Sequence, residues 1–361
     1  LQKSKLTNHT DELEEVMAAK ATLAQQTLDQ LYASEDPLQF VNNVYPLTAK
    51  AENDIFNYWW IAHYVDVKID AYERTHHQSD LDRAQQLYHY NKTRNHGTLI
   101  HEYYDDMLWN ALAAVRLFHH TKESEYLADA KAVYQDLVDT GWNEITGGGF
   151  AWKKTQMSYK NTPVNAPFVI LALKLNQIEP EEGYVKQAER TMNWMFETLV
   201  DPIDFFIEDG INRQEDMALD TAWQFSYNEG VFIGALVEFY RLTDQMIYLE
   251  VAKRCFKATI DRIGDLGVID DEGDGGDIGL FKGIFYRYSV SLLKEVNEKQ
   301  ETLITPFIAQ SITIMLKHKA KDQTLLIDRN WSKENKLPVY LSDQLSGVMA
   351  LEAYCRILRS C

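Results

Sequence analysis

One phrase recurs along the chain: an apolar helix, a short turn carrying Thr or Asp, then a second helix with apolar residues at i, i+3, i+4 and i+7. It is read at 121–134 with Tyr126, Leu127 and Ala130, at 178–190 with Tyr184, Val185 and Ala188, and at 243–254 with Tyr248, Leu249 and Ala252. A weaker copy at 75–84 carries Leu81. Leu81, Leu127, Val185 and Leu249 are 46, 58 and 64 residues apart, a mean of 56, and six such units nearly fill the 361 residues. That period exceeds the roughly 34–47 residues of tetratricopeptide and HEAT units. It predicts an all-α toroid of six hairpins, inner helices ringed by outer ones, whose closure hides the ends that an open array must cap. Glycine (17) and proline (8) are sparse and no linker interrupts the pattern, so a single domain is expected over 1–361.

In such a ring the loops entering the inner helices line one mouth. The candidates are 147–152, 269–279 and 328–331, which hold much of the glycine, and loops on a rigid scaffold are where function sits. Composition narrows the partner. Hydrophobic residues at 45% and charged residues at 25% describe a folded chain. A net charge of −18, from 36 basic against 54 acidic residues, argues against nucleic acid or an anionic membrane surface. No apolar run approaches the ~18 residues of a membrane span. Residues 1–24 are too polar for a signal peptide. Three cysteines make no disulfide framework and lean towards a reducing, cytoplasmic setting, with secretion open should a leader have preceded Leu1.

The sharpest chemical feature is Tyr103-Tyr104-Asp105-Asp106 followed by Trp109, two carboxylates opening a helix that reads as an inner one. Asp before a helix is ordinarily a cap or a partner of the helix dipole. Here the aromatic flanks, the absence of such a pair on the outer helices and the position at the mouth favour chemistry. Neighbouring Cα atoms lie ~3.8 Å apart, which suits the ~5–5.5 Å carboxyl separation of retaining glycosidases better than the ~6.5–9.5 Å of inverting ones. Helix N–H groups would keep one carboxylate ionised, while repulsion and burial would raise the other into an acid.

These residues resemble glycoside hydrolase family 76, the α-1,6-mannanases, and the likeness continues in order along nearly the whole chain. Asn57-Tyr58-Trp59-Trp60 with Asp66 and Asp70 resembles the family's first aromatic helix; Gly147-Gly148-Gly149-Phe150-Ala151-Trp152 and Tyr159-Lys160-Asn161 with Asn165 resemble its glycine loop and Lys-Asn…Asn segment. Tyr227-Asn228-Glu229-Gly230, Phe281-Lys282-Gly283-Ile284 with Arg287, and Trp331 follow in the expected order. The resemblance implies an (α/α)6 barrel and endo-type, metal-free and cofactor-free hydrolysis of α-1,6-mannosidic bonds with retention. It also implies a mannan-like oligo- or polysaccharide partner, Asp105 as nucleophile and Asp106 as general acid/base. Glycan transfer instead of hydrolysis is open to members of the family.

By the same resemblance Trp60, Tyr104, Trp152, Asn161, Asn165, Tyr227, Asn228, Lys282 and Trp331 are expected to bind substrate. Trp152, Trp60 and Trp331 suit stacking on a pyranose, and the asparagines suit sugar hydroxyls, with helix capping the competing role for Asn165. Trp59, Trp109 and Trp194 are expected in the core. Two departures stand out: Glu229 where the family has Gln, which would add an acid near the mouth, and His63 where a small or amide residue is usual. The run from Asp270 fails as a calcium loop, because its twelfth position is Phe281 rather than Glu. No His or Cys spacing marks a zinc site, and His76-His77 and His119-His120 read as helix ends. The competing functions are a sugar epimerase, which would need paired lumen histidines drawn from His63 and His101, and a binding toroid without turnover.

Overall fold

The apolar periodicity resolves into two kinds of helix in the computed structural model, which describes residues 2–269, 271–297 and 300–359. Twelve long helices lie among these residues. Those at even places are α2 (Tyr58–Thr75), α4 (Tyr104–Thr121), α6 (Thr162–Ile178), α8 (Ser226–Thr243), α10 (Phe281–Leu293) and α12 (Leu341–Arg359). They are buried almost all round, and α6 has no exposed position from Thr162 to Leu173. A helix apolar on every face must be covered on every face. The others are α1 (Gln2–Leu31), α3 (Gln78–Arg94), α5 (Ser124–Thr140), α7 (Glu182–Thr198), α9 (Met246–Arg262) and α11 (Ile304–Lys319). Each shows one buried stripe, such as Leu81, Ala84, Leu87, Tyr88 and Asn91 on α3. Leu81, Leu127, Val185 and Leu249 fall at equivalent early positions of α3, α5, α7 and α9, so the sequence period is the spacing of the outer helices.

The inner helices pack in sequence, α2 on α4, α4 on α6, α6 on α8, α8 on α10 and α10 on α12, and α12 returns to α2. This cycle is an (α/α)6 toroid. Its sixth pair is assembled from opposite ends of the chain, with α1 backing α12. Gln25 of α1 donates to the Val67 carbonyl (2.7 Å) and to Glu352 (3.2 Å), tying α1 to α2 and α12. Beside this seam β1 (Val44–Tyr45) pairs antiparallel with β7 (Val339–Tyr340).

The connections differ in length at the two ends of the ring, and that difference places the site. Four inner helices lead to outer ones by turns of two or three residues, three of them through left-handed His76, Lys122 and Asp244, and α10 leads to α11 by the longer 294–303. Outer helices return to inner ones by long segments, such as 141–161 and 199–225. The segments that return from outer to inner helices therefore gather at one mouth. They carry β2 (Ala151–Lys153), β3 (Gln156–Asn161) and β4 (Gly210–Ile211), which form one antiparallel sheet, and the hairpin β5 (Gly264–Asp265) with β6 (Val268–Ile269). Among the described residues no helix is long and apolar enough to cross a membrane, and no cluster of three or more His, Cys, Asp or Glu is placed to hold a metal. Asp270, where the calcium-loop count begins, lies outside the described residues, as does Cys361.

Candidate active site

Asp105 and Asp106 stand in the first turn of α4, after the extended residue Tyr103 that caps it, and so face the mouth. Their surroundings differ. Asp105 accepts the Asp106 backbone N–H on Oδ1 (3.0 Å) and the Trp152 indole N–H on Oδ2 (3.2 Å). The Asp106 carboxylate makes no hydrogen bond among the described residues. The Nδ1 of His101 is 4.0 Å from its Oδ2, and the Asp106 side chain is 18% exposed. Burial raises the Asp105 carboxyl to about 7, against the pull of those N–H donors. Burial, then the charges of Asp105 and Asp277, push Asp106 well above the usual carboxylate range. His101 does not offset this. Its Nδ1 accepts the Tyr103 N–H (3.1 Å), and burial lowers its affinity for a proton, so it stands neutral beside Asp106.

The donor to Asp105 is held by the glycine loop. Gly147, Gly148 and Gly149 all have positive φ (74°, 132° and 91°), and a Cβ on Gly149 would meet the Trp194 ring at 2.8 Å. Only glycine fits both demands. Lys160 on β3 donates to the carbonyls of Asn143 (3.0 Å), Gly148 (2.7 Å) and Gly149 (3.0 Å). Asn165 closes the other side, its Oδ1 accepting Phe150 N–H (2.8 Å) and its Nδ2 donating to Phe150 O (2.9 Å) and Asn161 O (2.7 Å). The loop is thus clamped from both flanks immediately before Trp152.

A third carboxylate, Asp277, comes from the single turn Gly276–Gly279. Its Oδ1 accepts the indole N–H groups of both Trp59 (2.9 Å) and Trp60 (2.8 Å). Two aromatic walls flank the acids. One runs from Tyr58 through His101 and Tyr103 to Trp152, with centroid spacings of 5.1, 5.8 and 5.3 Å. The other descends from exposed Trp223 through Phe225 to Phe281, on which Tyr227 lies flat at 3.7 Å, and then to Trp59. Below them Trp59, Trp109 and His63 meet at 5.0–6.0 Å and floor the site.

The remaining sequence expectations separate by burial. Trp152 and Tyr227 are partly open and belong to the walls. Tyr104 does not: it is fully buried behind α4, its hydroxyl 2.7 Å from Thr140 Oγ1, and Tyr103 takes the wall position. Trp60 packs on Gly276 and Tyr340, and Trp59, buried in the core as expected, packs on Phe281 and Trp109. Asn165 is neither cap nor sugar ligand but the loop clamp. Asn161 and Asn228 are buried, the former at the start of α6 and the latter donating to Asp209 (2.8 Å). Lys282 donates to the Ile269 carbonyl (2.9 Å) and to that of Arg329, and sits 4.8 Å above the Trp331 ring. Trp331 is itself fully buried against Tyr286, so this pair pins two loops from beneath. Glu229 is likewise buried, accepting the Ile207 N–H (2.7 Å), and adds no acid at the mouth. Trp109 and Trp194 pack inside as expected.

Sequence reasoning missed Tyr103, Phe281 and Asp277, and weighed His101 only as part of an epimerase's histidine pair. Tyr103 and Phe281 stand in motifs already singled out, and Asp277 in the loop 269–279 already placed at the mouth. His63 packs with the tryptophans of the floor and His101 with the tyrosines of one wall, so the histidine pair an epimerase would need is not formed.

A six-hairpin toroid with two adjacent acids at an aromatic mouth is the frame of a carbohydrate-active protein. The family model for glycosyl hydrolase family 76 matches residues 15–355, and the chain belongs to that family. It is similar to a protein of known structure from Listeria innocua, with a TM-score of 0.93 and 47% identity over 96% of this chain and 98% of that one. It is also similar to an inactive variant, with two adjacent aspartates replaced by asparagine, of an α-1,6-mannanase of Salegentibacter sp. HEL1_6, solved in complex with α-1,6-mannotriose. There the TM-score is 0.87 and identity 30% over 94% of this chain and 99% of that one. A mannan endo-1,6-α-mannosidase of Candida albicans is 28% identical over 141 residues, covering 37% of this chain. The alignment spans about a third of the length of that relative (31%).

Proposed function

We propose that this chain is a retaining glycosidase that cleaves α-1,6-mannosidic bonds within mannan, with Asp105 as nucleophile and Asp106 as general acid/base. The observation that carries the assignment is the unequal bonding of two adjacent carboxylates. Hydrogen bonds to a carboxylate favour its charged form. Asp105, with two N–H donors, is the one suited to be ionised; Asp106, bare and beside two negative charges, is suited to hold a proton. Asp105 attacks the anomeric carbon as Asp106 protonates the departing glycosidic oxygen, which leaves a glycosyl ester on Asp105. Asp106, now ionised, takes a proton from water as its oxygen attacks the same carbon and releases Asp105. Trp152 holds the nucleophile in place, and the Tyr103–Trp152 and Tyr227–Phe281 walls offer faces for pyranose rings. The mannotriose complex of the Salegentibacter enzyme, obtained with two adjacent aspartates replaced, supports the substrate class. Where an acceptor sugar reaches the ester before water, the same steps give transfer.

Asp105→Ala and Asp106→Ala should each lower turnover of α-1,6-mannan by at least about 10³-fold while the fold is kept. Azide separates the roles on an activated mannoside. It should rescue Asp106→Ala with a glycosyl azide of retained configuration, and Asp105→Ala with an inverted one. Full activity in either variant, or a first-formed β-anomer by NMR from the unaltered enzyme, would overturn the proposal.

A further inference from the structure

At the end of the ring opposite the acids, where the short turns join inner to outer helices, the lumen holds a second cavity of about 240 Å³. Trp109 and His63, which floor the active site, form its inner end. Six cations line it: Arg116, Lys174, Arg241, Arg287, Lys294 and Arg356. In a chain of net charge −18 this is a local reversal of sign. The acids that face them are Asp66 and Glu73 on the lining, with Asp70, Glu238 and Glu295 behind.

Those acids fix the cations without occupying all their donors. Asp70 accepts from Arg116 (2.7 Å), Arg287 (2.9 Å) and Arg356, and Asp66 accepts from Arg116 (3.1 Å). A guanidinium carries five N–H groups in a rigid fork. The Nε of Arg287 is buried with no partner, and neither ring nitrogen of His63 has one. His63 is 3% exposed, and its Nδ1 stops 3.8 Å from the Asp66 carboxylate, beyond a hydrogen bond. Burial and the Arg287 charge keep that imidazole neutral, with one N–H to give. The Lys294 side chain makes no ion pair among the described residues. Buried donors without acceptors are rare in native structures and call for an outside partner, a water or an ion.

We propose that this cavity binds a small phosphate-class oxyanion, held by Arg287 Nε–H, the His63 N–H and Lys294. The volume exceeds that of phosphate alone and leaves space for an organic group of hexose size against Trp109 and Leu112. Inorganic phosphate and a phosphomonoester share the recognised chemistry.

Calorimetry and tryptophan fluorescence on the full chain, titrated with inorganic phosphate or with glucose 6-phosphate against chloride of equal ionic strength, test this. Saturable one-site binding with a change in tryptophan emission is expected. Arg287→Lys keeps a cation on Asp70 and deletes the free Nε–H; Lys294→Gln removes the unpaired charge at the rim. Each should weaken binding roughly tenfold. Tighter binding of glucose 6-phosphate supports an organic phosphate as occupant, and equal binding supports phosphate itself. No saturable signal above chloride, or unaltered binding in Lys294→Gln, which leaves the Asp70 network intact, overturns the proposal.

Discussion

Asp105 and Asp106 are chemically identical and adjacent, so their different proton affinities come wholly from what each oxygen touches. Two consequences follow for measurement. First, kcat/KM should be bell-shaped, rising as Asp105 ionises near its raised value of about 7 and falling at higher pH as Asp106 loses its proton. Trp152→Phe deletes one of the two donors to Asp105. It should move the rising limb upward by about half to one pH unit, leave the falling limb in place and lower kcat/KM about tenfold. An unmoved rising limb would show that the indole does not set the nucleophile. Second, a carboxyl that titrates near 4 when unfolded and at about 7 when folded favours the folded state at low pH. That contribution is lost as pH rises through this window. Asp105→Asn should therefore melt a few degrees above the unaltered chain at pH 8 and close to it at pH 4. Equal melting at both would mean the pair carries no such strain.

At the scale of an element, the glycine loop shows what the sequence made readable and what it did not. The run from Gly147 to Trp152 and the Lys160-Asn161…Asn165 segment were recognisable as motifs, and the loop was placed at the mouth, where it lies. Which residues point at ligand was not readable, because a motif records residue types and not the side of the backbone they leave from. Lys160 and Asn165 face inward and bond the loop's own carbonyls and amides, and the consecutive Trp59 and Trp60, both buried, give their indole N–H groups to the same Asp277 oxygen. Burial pushes the Lys160 ammonium down to about 8, so it is held for its geometry at a cost in charge. Lys160→Met should leave the carbonyls of Asn143, Gly148 and Gly149 short of a donor. We expect a loss of about 2–4 kcal/mol of stability, seen as a lower Tm. Activity should fall as well, because Trp152 is released from its clamp. A variant as stable and active as the parent would show that the glycines alone define the loop.

For the whole molecule the decisive feature is closure, and the sequence showed it through four spaced residues, Leu81, Leu127, Val185 and Leu249. The period alone gave six units. That α1 completes the pair with α12 was not readable, since it joins opposite ends of the chain. Closure concentrates on Asp70 of α2, buried, which receives Arg116 from α4, Arg287 from α10 and Arg356 from α12. One carboxylate thus joins the last inner helix to the first. Burial opposes its charge, yet the three guanidinium groups hold it well below the usual range. Beside it burial would raise Glu73, but Arg116 and Arg356 lower it to about 2. Groups lowered in the folded state contribute stability that is complete above about pH 4.5 and lost as pH falls towards 2. Asp70→Asn leaves three cations with one compensating charge fewer in a buried place, a loss of about 3–5 kcal/mol. Its Tm should drop by roughly 4–7 °C at pH 7, and the gap to the unaltered chain should narrow as pH approaches 2. Because Asp70 itself is buried, 0.5–1 M salt should change that gap less than it would for a surface pair. A Tm within about 2 °C of the parent at pH 7 would mean that apolar packing of α12 on α1 and α2 closes the ring without the ionic joint.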